Sequence, residues 1–308
     1  MKKQYLIYLI PLLLFSLRGE AQSELHYGMY MMHQPFFNPA SASSYKQLTA
    51  AIVYKNQWTG YDGAPTIGAF NIVKPFKSST LGLTITNDQV GVDNNTQISG
   101  SYAYQLELRG YSRLAFGLSA SVSLLQSDLG QVSLLDESDP TYSGGNTGIV
   151  TQPNFKFGTY YYTNKFYAGI AIPNILDNRI SLTDGAASTG FDFKSIHYYF
   201  HAGYRYTLNK KADLNASTFL KQVSGASMQY DINLQYEYMR KYGVGLSYRS
   251  SKELLGIVSY QLTSELKMAY AYEFNLGEIG NYSSGSHEIM LIYKFSPPQE
   301  SIISIPRF

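Results

Sequence analysis

From about residue 50 to the end of the chain, apolar and polar residues alternate one by one. A period of two sends successive side chains to opposite faces of an extended strand, so the pattern predicts β-sheet. In Ser227–Tyr238, Met228, Tyr230, Ile232, Leu234, Tyr236 and Tyr238 share one face, and Gln229, Asp231, Asn233, Gln235 and Glu237 share the other. Arg113–Leu125 sets Leu114, Phe116, Leu118, Ala120, Val122 and Leu124 against Ala115, Gly117, Ser119, Ser121 and Ser123. A soluble sandwich would turn a Lys- and Glu-rich face to water. Here one face is almost purely apolar and aromatic, while the mixed face is small and polar.

The pattern repeats over 50–58, 66–74, 79–87, 96–107, 112–125, 153–163, 165–173, 196–208, 211–222, 227–239, 242–250, 253–262, 265–275 and 286–296, fourteen strands in all. An even count suits a bacterial single-chain membrane barrel. The connections alternate too. Pro75–Ser78, Leu108–Tyr111, Asn164, Asn209–Lys210, Arg240–Lys241 and Thr263–Ser264 are short. All the long loops fall between them: Thr59–Pro65, Asp88–Asn95, Gln126–Gln152, Asn174–Ser195 and Leu276–Gly285. Short periplasmic turns opposite longer external loops are the asymmetry of such barrels.

Composition agrees. Charged residues make up 15% of the 308, against ~25% in soluble domains, while Tyr numbers 29 and Gly 26. The absence of Cys excludes disulfide scaffolds, thiolate metal sites and thiol nucleophiles. Outside the N-terminus no apolar run reaches the ~18 residues of a membrane-spanning helix. Residues 1–21 read as a cleaved secretory signal: Lys2 and Lys3, an apolar run Tyr5–Leu17, then small residues at Gly19 and Ala21. Its removal leaves 21 basic and 21 acidic residues, so the net charge of +2 carries no implication of nucleic-acid binding. Residues 22–48 lack alternation but are rich in aromatics and Met, which predicts a plug in the lumen or a cap at the periplasmic mouth of a barrel spanning 49–296. Residues 297–308 follow as a periplasmic tail.

Two motifs stand out. Asn38-Pro39-Ala40 reads as a turn ending the N-terminal segment, because Pro holds the residue before it extended. Gln57-Trp58-Thr59-Gly60-Tyr61-Asp62-Gly63-Ala64-Pro65 closes the first strand; Gly60, Gly63 and Pro65 give the loop a tight path, and Trp58, the sole Trp, is expected in an aromatic girdle. Together they resemble the N-terminal signature of the PorP/SprF family of Bacteroidetes outer-membrane proteins, an NPA element followed by a strand ending in QWxGxxGAP. Weaker likenesses follow in order: Gly82-Leu83, Asn87-Asp88 and Gly91, then Tyr167–Asn174 and Ser286–Leu291. The run Tyr30–Pro35 departs from the family's usual one. The resemblance implies a type IX secretion or gliding component of the outer membrane. Its partners would be outer-membrane lipid, a secreted adhesin or that adhesin's C-terminal signal domain, and the periplasmic secretion-motor ring. Asn38, Pro39, Ala40, Gln57, Trp58, Gly60, Gly63, Ala64 and Pro65 are candidate partner-binding or gating residues, against an equally weighted reading as plain architecture.

Catalytic constellations are missing from the sequence. His197 and His201, four apart, would stand ~13 Å from each other along a strand, too far to share a metal; a lumenal hydrogen-bonding role fits better. The serines of 119–123 carry no GxSxG elbow, and Ser143–Asn146 has no following helix to make a phosphate cradle. Asp136, Glu137 and Asp139 read as a solvated acidic loop before a Ca²⁺ site. Neither an enzyme nor a cofactor is expected. From the eighth strand onward the inward faces hold five basic residues (Arg205, Lys221, Arg249, Lys267, Lys294) and five acidic ones (Asp213, Asp231, Glu237, Glu273, Glu288). Balanced charge suits ion-paired walls around a plug better than a selective pore. The expectation is therefore an all-β, single closed antiparallel transmembrane barrel of about 14 strands, FadL-like, serving as secretion or anchoring partner. The alternative is a FadL-like transporter of hydrophobic solutes, with residues 22–48 as a movable hatch.

Overall fold

A computed structural model describes residues 27–128, 130, 148–180 and 187–295. The signal segment 1–21, the start of the 22–48 segment, Asp136, Glu137, Asp139, the Ser143–Asn146 run and the tail 297–308 lie outside the described residues.

Fourteen strands close into one antiparallel barrel. In chain order they begin with β1 Thr49–Asn56, β2 Thr66–Phe76, β3 Ser79–Val90, β4 Asp93–Glu107, β5 Arg113–Ser127, β6 Val150–Tyr162 and β7 Phe166–Ile172. A separate hairpin, β8 Asp177–Ile180 with β9 Ala187–Gly190, interrupts the series. The wall resumes with β10 Tyr198–Asn209, β11 Ala212–Gln222, β12 Gln229–Tyr238, β13 Tyr242–Arg249, β14 Glu253–Gln261, β15 Leu266–Asn275 and β16 Ser286–Lys294. Each wall strand pairs with its neighbour in sequence, and β1 pairs with β16, Ile52 facing Leu291, so no edge is left open.

The burial pattern is that of a soluble sheet turned inside out. On β12, Asp231, Asn233 and Gln235 are buried while Ile232, Leu234, Tyr236 and Tyr238 are exposed. β5 repeats this, with Ala115 and Ser119 buried and Phe116, Leu118 and Val122 exposed. Only a lipid solvent accommodates such an outer surface, and closure satisfies every ladder hydrogen bond within it. Among the described residues no helix is long and apolar enough to cross a membrane; strands make the crossing.

Two details differ from the sequence expectation. The stretch 88–95 is not a loop: β3 and β4 stay paired until Val90 faces Asp93, leaving a two-residue turn, because polar Asn and Gln pairs such as Asn87–Asn94 extend the ladder beyond the apolar zone. The connection 174–195 contains the β8–β9 hairpin, where no strand was expected. Both lie at the long-loop end.

Arginine at Leu118 (59% exposed) or Leu234 (49% exposed) should impair assembly, since charge at the bilayer midplane costs about 2–4 kcal/mol in a barrel. Arginine at Ser121, which shares the inward parity of Ser119, should be far milder; the yield of heat-modifiable barrel measures both. A tag inserted at 192–195 should be labelled on intact cells, and one at Asn209–Lys210 only after permeabilisation.

Candidate functional site

The chain from Tyr27 to Ser44 lies inside the barrel. It touches strands on every side: β2 and β16, β6 and β7, β10 and β11, and β14. Three 3-10 helices, Tyr30–Met32, Gln34–Phe36 and Pro39–Ser44, give it a compact path, with Pro35 and Pro39 in the first turns of the last two.

Four latches hold it. Near the start, the N–H groups of Gly28 and Met29 donate to the Glu288 carboxylate (2.6 and 3.0 Å); a side chain at Gly28 would strike Leu255. Next, His33 is buried between Asn71, 2.7 Å from Nε2, and the Tyr45 hydroxyl, 2.9 Å from Nδ1. Third comes the NPA element. Asn38 is fully buried, and its Oδ1 accepts from the Ala40 N–H (3.0 Å), capping the third 3-10 helix. With Oδ1 so committed, Nδ2 faces the wall, donating to the Thr159 carbonyl (3.1 Å) and to His201 Nε2 (2.8 Å). The wall admits it only because three inward positions are glycine. A Cβ at Gly117 would collide with the Ala40 backbone, at Gly158 with Asn38 Oδ1, and at Gly169 with His201. Gly117 and Gly158 are direct cross-strand partners, as are Gly169 and His201, so the cleft is continuous. Fourth, Lys156 donates to the Phe36 carbonyl (3.2 Å) and the Tyr162 hydroxyl to that of Ser43 (3.0 Å). Tyr30, Phe37 and His201 then pack edge-on or tilted around Phe219.

Thus Asn38–Pro39 does turn the chain, but it opens a six-residue helix instead of ending the segment. His201 takes the lumenal hydrogen-bonding role expected of it. The three glycines and Glu288 escaped notice as site residues; inward-facing Gly within a strand was the available signal, since it marks close backbone approach.

Beside this seat the inward charges are paired. Lys55 meets Glu273 at 3.0 Å, and Arg249 meets Asp231 and Glu273 at 3.2 Å each and also Glu253. All are nearly water-free, so losing one partner strands a buried charge.

The second motif sits elsewhere. β1 ends at Asn56, and residues 57–65 form the external loop after it. Trp58 lies two residues past the strand with φ +50°, its backbone N–H donating to Ser286 Oγ (3.2 Å). Gly60 and Gly63 also have positive φ (+91° and +72°), the need that glycine serves. The loop closes on itself through Gln57 N–H to the Pro65 carbonyl (2.9 Å) and Ala64 N–H to that of Tyr61 (3.1 Å). It ties to the β15–β16 connection through Thr59 and Gly285 (2.7 Å), and to the β3–β4 turn through Gly91 and Gly63 (2.9 Å). Among the described residues no hydrogen bond joins this loop to Asn38, Pro39 or Ala40.

The buried segment divides the lumen. At the long-loop end a cavity of about 480 Å³ is floored by Tyr27, Tyr30, Phe36 and Phe37. At the short-turn end another of about 850 Å³ is floored by Met31, Met32, Ser44 and Tyr45. Among the described residues no three His, Cys, Asp or Glu side chains converge as a metal site.

The family model for the type IX secretion system membrane protein PorP/SprF matches residues 19–293. This chain belongs to the PorP/SprF family. It is therefore an outer-membrane β-barrel of a type IX secretion family. No curated protein matches it. Among solved structures, the Ralstonia pickettii toluene transporter TbuX is 14% identical with a TM-score of 0.51, covering 87% of this chain and 93% of its own. The CymD monoaromatic hydrocarbon channel is 13% identical with a TM-score of 0.50, over 90% and 95%. At these identities the likeness concerns the barrel fold alone.

Burial lowers the His33 pKa from 6.5 to about 4, against the Asn71 hydrogen bond, which raises it. A released segment would titrate near the ordinary ~6.5. The released state therefore gains protons first: the contribution of His33 to docking is complete above pH 6.5 and is lost as pH falls towards 4. A spin label at Ser44→Cys should grow more mobile across that window, with a flat profile in His33→Gln. In Gly158→Leu the label should be mobile at every pH.

Proposed function

We propose that this protein is a closed outer-membrane holdfast, the secretion or surface-anchoring partner of a cognate adhesin or other secreted protein, and not a conduit for small solutes. The observation that carries the reading is the fourfold latching of the N-terminal segment across the lumen. Moving it would strip the Glu288 carboxylate, Asn71 Oδ1 and His201 Nε2 of their partners, at about 1–3 kcal/mol for each group left buried and unpaired. A hatch that opens in ordinary turnover would not be fastened so heavily. In this reading the lumen or the stapled external rim, with Gln57, Trp58, Gly60, Gly63, Ala64 and Pro65, receives the C-terminal signal domain of the secreted protein. The periplasmic end meets the secretion-motor ring. Asn38, Pro39 and Ala40 act from within, as the lock on the lumenal floor.

The second reading, a transporter of hydrophobic solutes, is favoured by the barrel likeness to TbuX and CymD, whose names give them toluene and monoaromatic hydrocarbons. Against it stand the polar walls of the external cavity, where Thr86, Gln97, Gln152 and Asn154 surround the aromatic floor.

Deleting the gene should remove one cognate protein from the cell surface while small-solute uptake stays unchanged. In planar bilayers the intact barrel should conduct little, and a variant lacking residues 27–44 should conduct steadily. Large conductance from intact protein, with every surface protein still displayed by the deletion strain, would promote the transporter.

A further inference from the structure

The balance of inward charge conceals a separation along the barrel axis. The paired cluster of Lys55, Arg249, Asp231, Glu253 and Glu273 sits towards the long-loop end. The 850 Å³ cavity at the short-turn end is different. Two of its cations have carboxylate partners: Lys267 with Glu237 (3.3 Å) and Arg113 with Glu107 (3.5 Å). Five more line it with no carboxylate partner among the described residues: Lys46, Lys165, Arg205, Arg240 and Lys294. Arg205 donates instead to the Asn215 side chain (3.2 Å). Glu237 is the sole carboxylate lining this cavity among the described residues. Such a concave field of one sign concentrates anions.

A second observation narrows what those anions are. Deeper in the same cavity, Asn233 (2% exposed) and Gln235 (8% exposed) project from β12. Both amide atoms of Asn233 and the nitrogen of Gln235 are buried without a hydrogen-bond partner among the described residues. Each primary amide presents a donor beside an acceptor, which complements a peptide N–H and C=O. The two stand two residues apart on one strand face, about 6.6 Å, the repeat of an extended peptide. Tyr160, Tyr162 and Tyr167 also line the cavity. A free phosphate or a lipid headgroup would use the cations but neither the paired amides nor the rings.

We propose that this periplasmic vestibule docks an acidic, extended polypeptide segment presented from the periplasm. The carboxylates meet the mouth cations, and the backbone meets Asn233 and Gln235. The inference rests on the reading of this barrel as the partner of a polypeptide. Entry is from the short-turn end, because Met31, Met32 and Tyr45 of the latched segment close the other side.

The test uses the full-length barrel in nanodiscs and a fluorescein-labelled peptide alternating Glu and Tyr, followed by anisotropy. Binding should weaken as salt rises and should be absent for the same peptide with Lys in place of Glu. The double variant Arg240→Glu/Lys294→Glu should bind about tenfold more weakly and flatten the salt dependence. Asn233→Leu should weaken binding without changing that dependence, and Lys77→Glu, in the short β2–β3 turn but outside the cavity lining, should do nothing. Heat-modifiability verifies that each variant is folded. Equal binding of the Lys peptide, an unchanged double variant, or capture of anionic phospholipid vesicles in place of the peptide would overturn the inference. Absent peptide binding in a protein whose deletion still strips a surface protein would sink this site and leave the partner reading standing. Peptide binding with normal display would keep the site and remove the anchoring role.

Discussion

A closed wall of fourteen strands encloses more space than its own inward side chains can fill, since about eight strands is the limit for that. The remaining volume must hold water or chain, and here the chain between Tyr27 and Ser44 occupies its middle. That constraint explains the inward faces of three neighbouring strands. Where the segment presses closest they are reduced to Gly117, Gly158 and Gly169, while further along they carry larger polar side chains such as Ser123, Gln152 and Asn154. Glycine in a strand interior normally weakens a sheet. Its use at three adjoining inward points makes sense only as clearance for Asn38, Pro39 and Ala40.

The outward face obeys a different solvent. Leu, Val, Ile and Tyr on alternate positions meet lipid, so the hydrophobic effect stabilises the barrel from outside while polar bonding organises it from inside. Inside, the dielectric is low enough that a missing partner costs more than a present one gives. The Lys55–Glu273–Arg249 cluster and the Glu288 clasp on Gly28 and Met29 therefore define one arrangement of wall and segment; they are poor evidence of large net stabilisation.

Alternation made the wall legible from the residues alone, because a one-residue slip would invert every face. All fourteen wall strands lie where the pattern puts them, within a few residues. The pattern failed where lipid no longer imposes it. Beyond the bilayer, Asn87, Asn94 and Thr96 continue the β3–β4 ladder through amide and hydroxyl bonds, and Asp177–Ile180 pairs with Ala187–Gly190 where no alternation in the sequence announces a strand. The site was half legible. Asn38–Pro39 announced a turn, and His201 a lumenal partner, but nothing in either stretch reveals that glycines 79, 120 and 131 residues further on make the socket. The charge of the short-turn vestibule was hidden for a related reason. Lys46 and Arg240 belong to the N-terminal segment and to a turn, outside any tally of strand parity, and Lys165 opens the seventh strand expected over 165–173, ahead of the eighth strand where the tally of inward charges begins.

Transmission across such a barrel would need an element with two arrangements that both ends bias. The obvious candidate is the segment itself, since its residues form the floor of both cavities. Its latches argue for the opposite property. Glu288, Asn71, His201 and Tyr162 grip it from widely separated strands, so releasing any one leaves the others engaged. Above, the loop 57–65 is stitched to two neighbouring external connections, which stiffens the rim next to the β1–β16 seam. A load applied at the rim or in the vestibule then spreads into many strands at once. Rigidity of that kind suits a component that holds something in place; a gate would need the reverse, one weak latch and an empty path beside it.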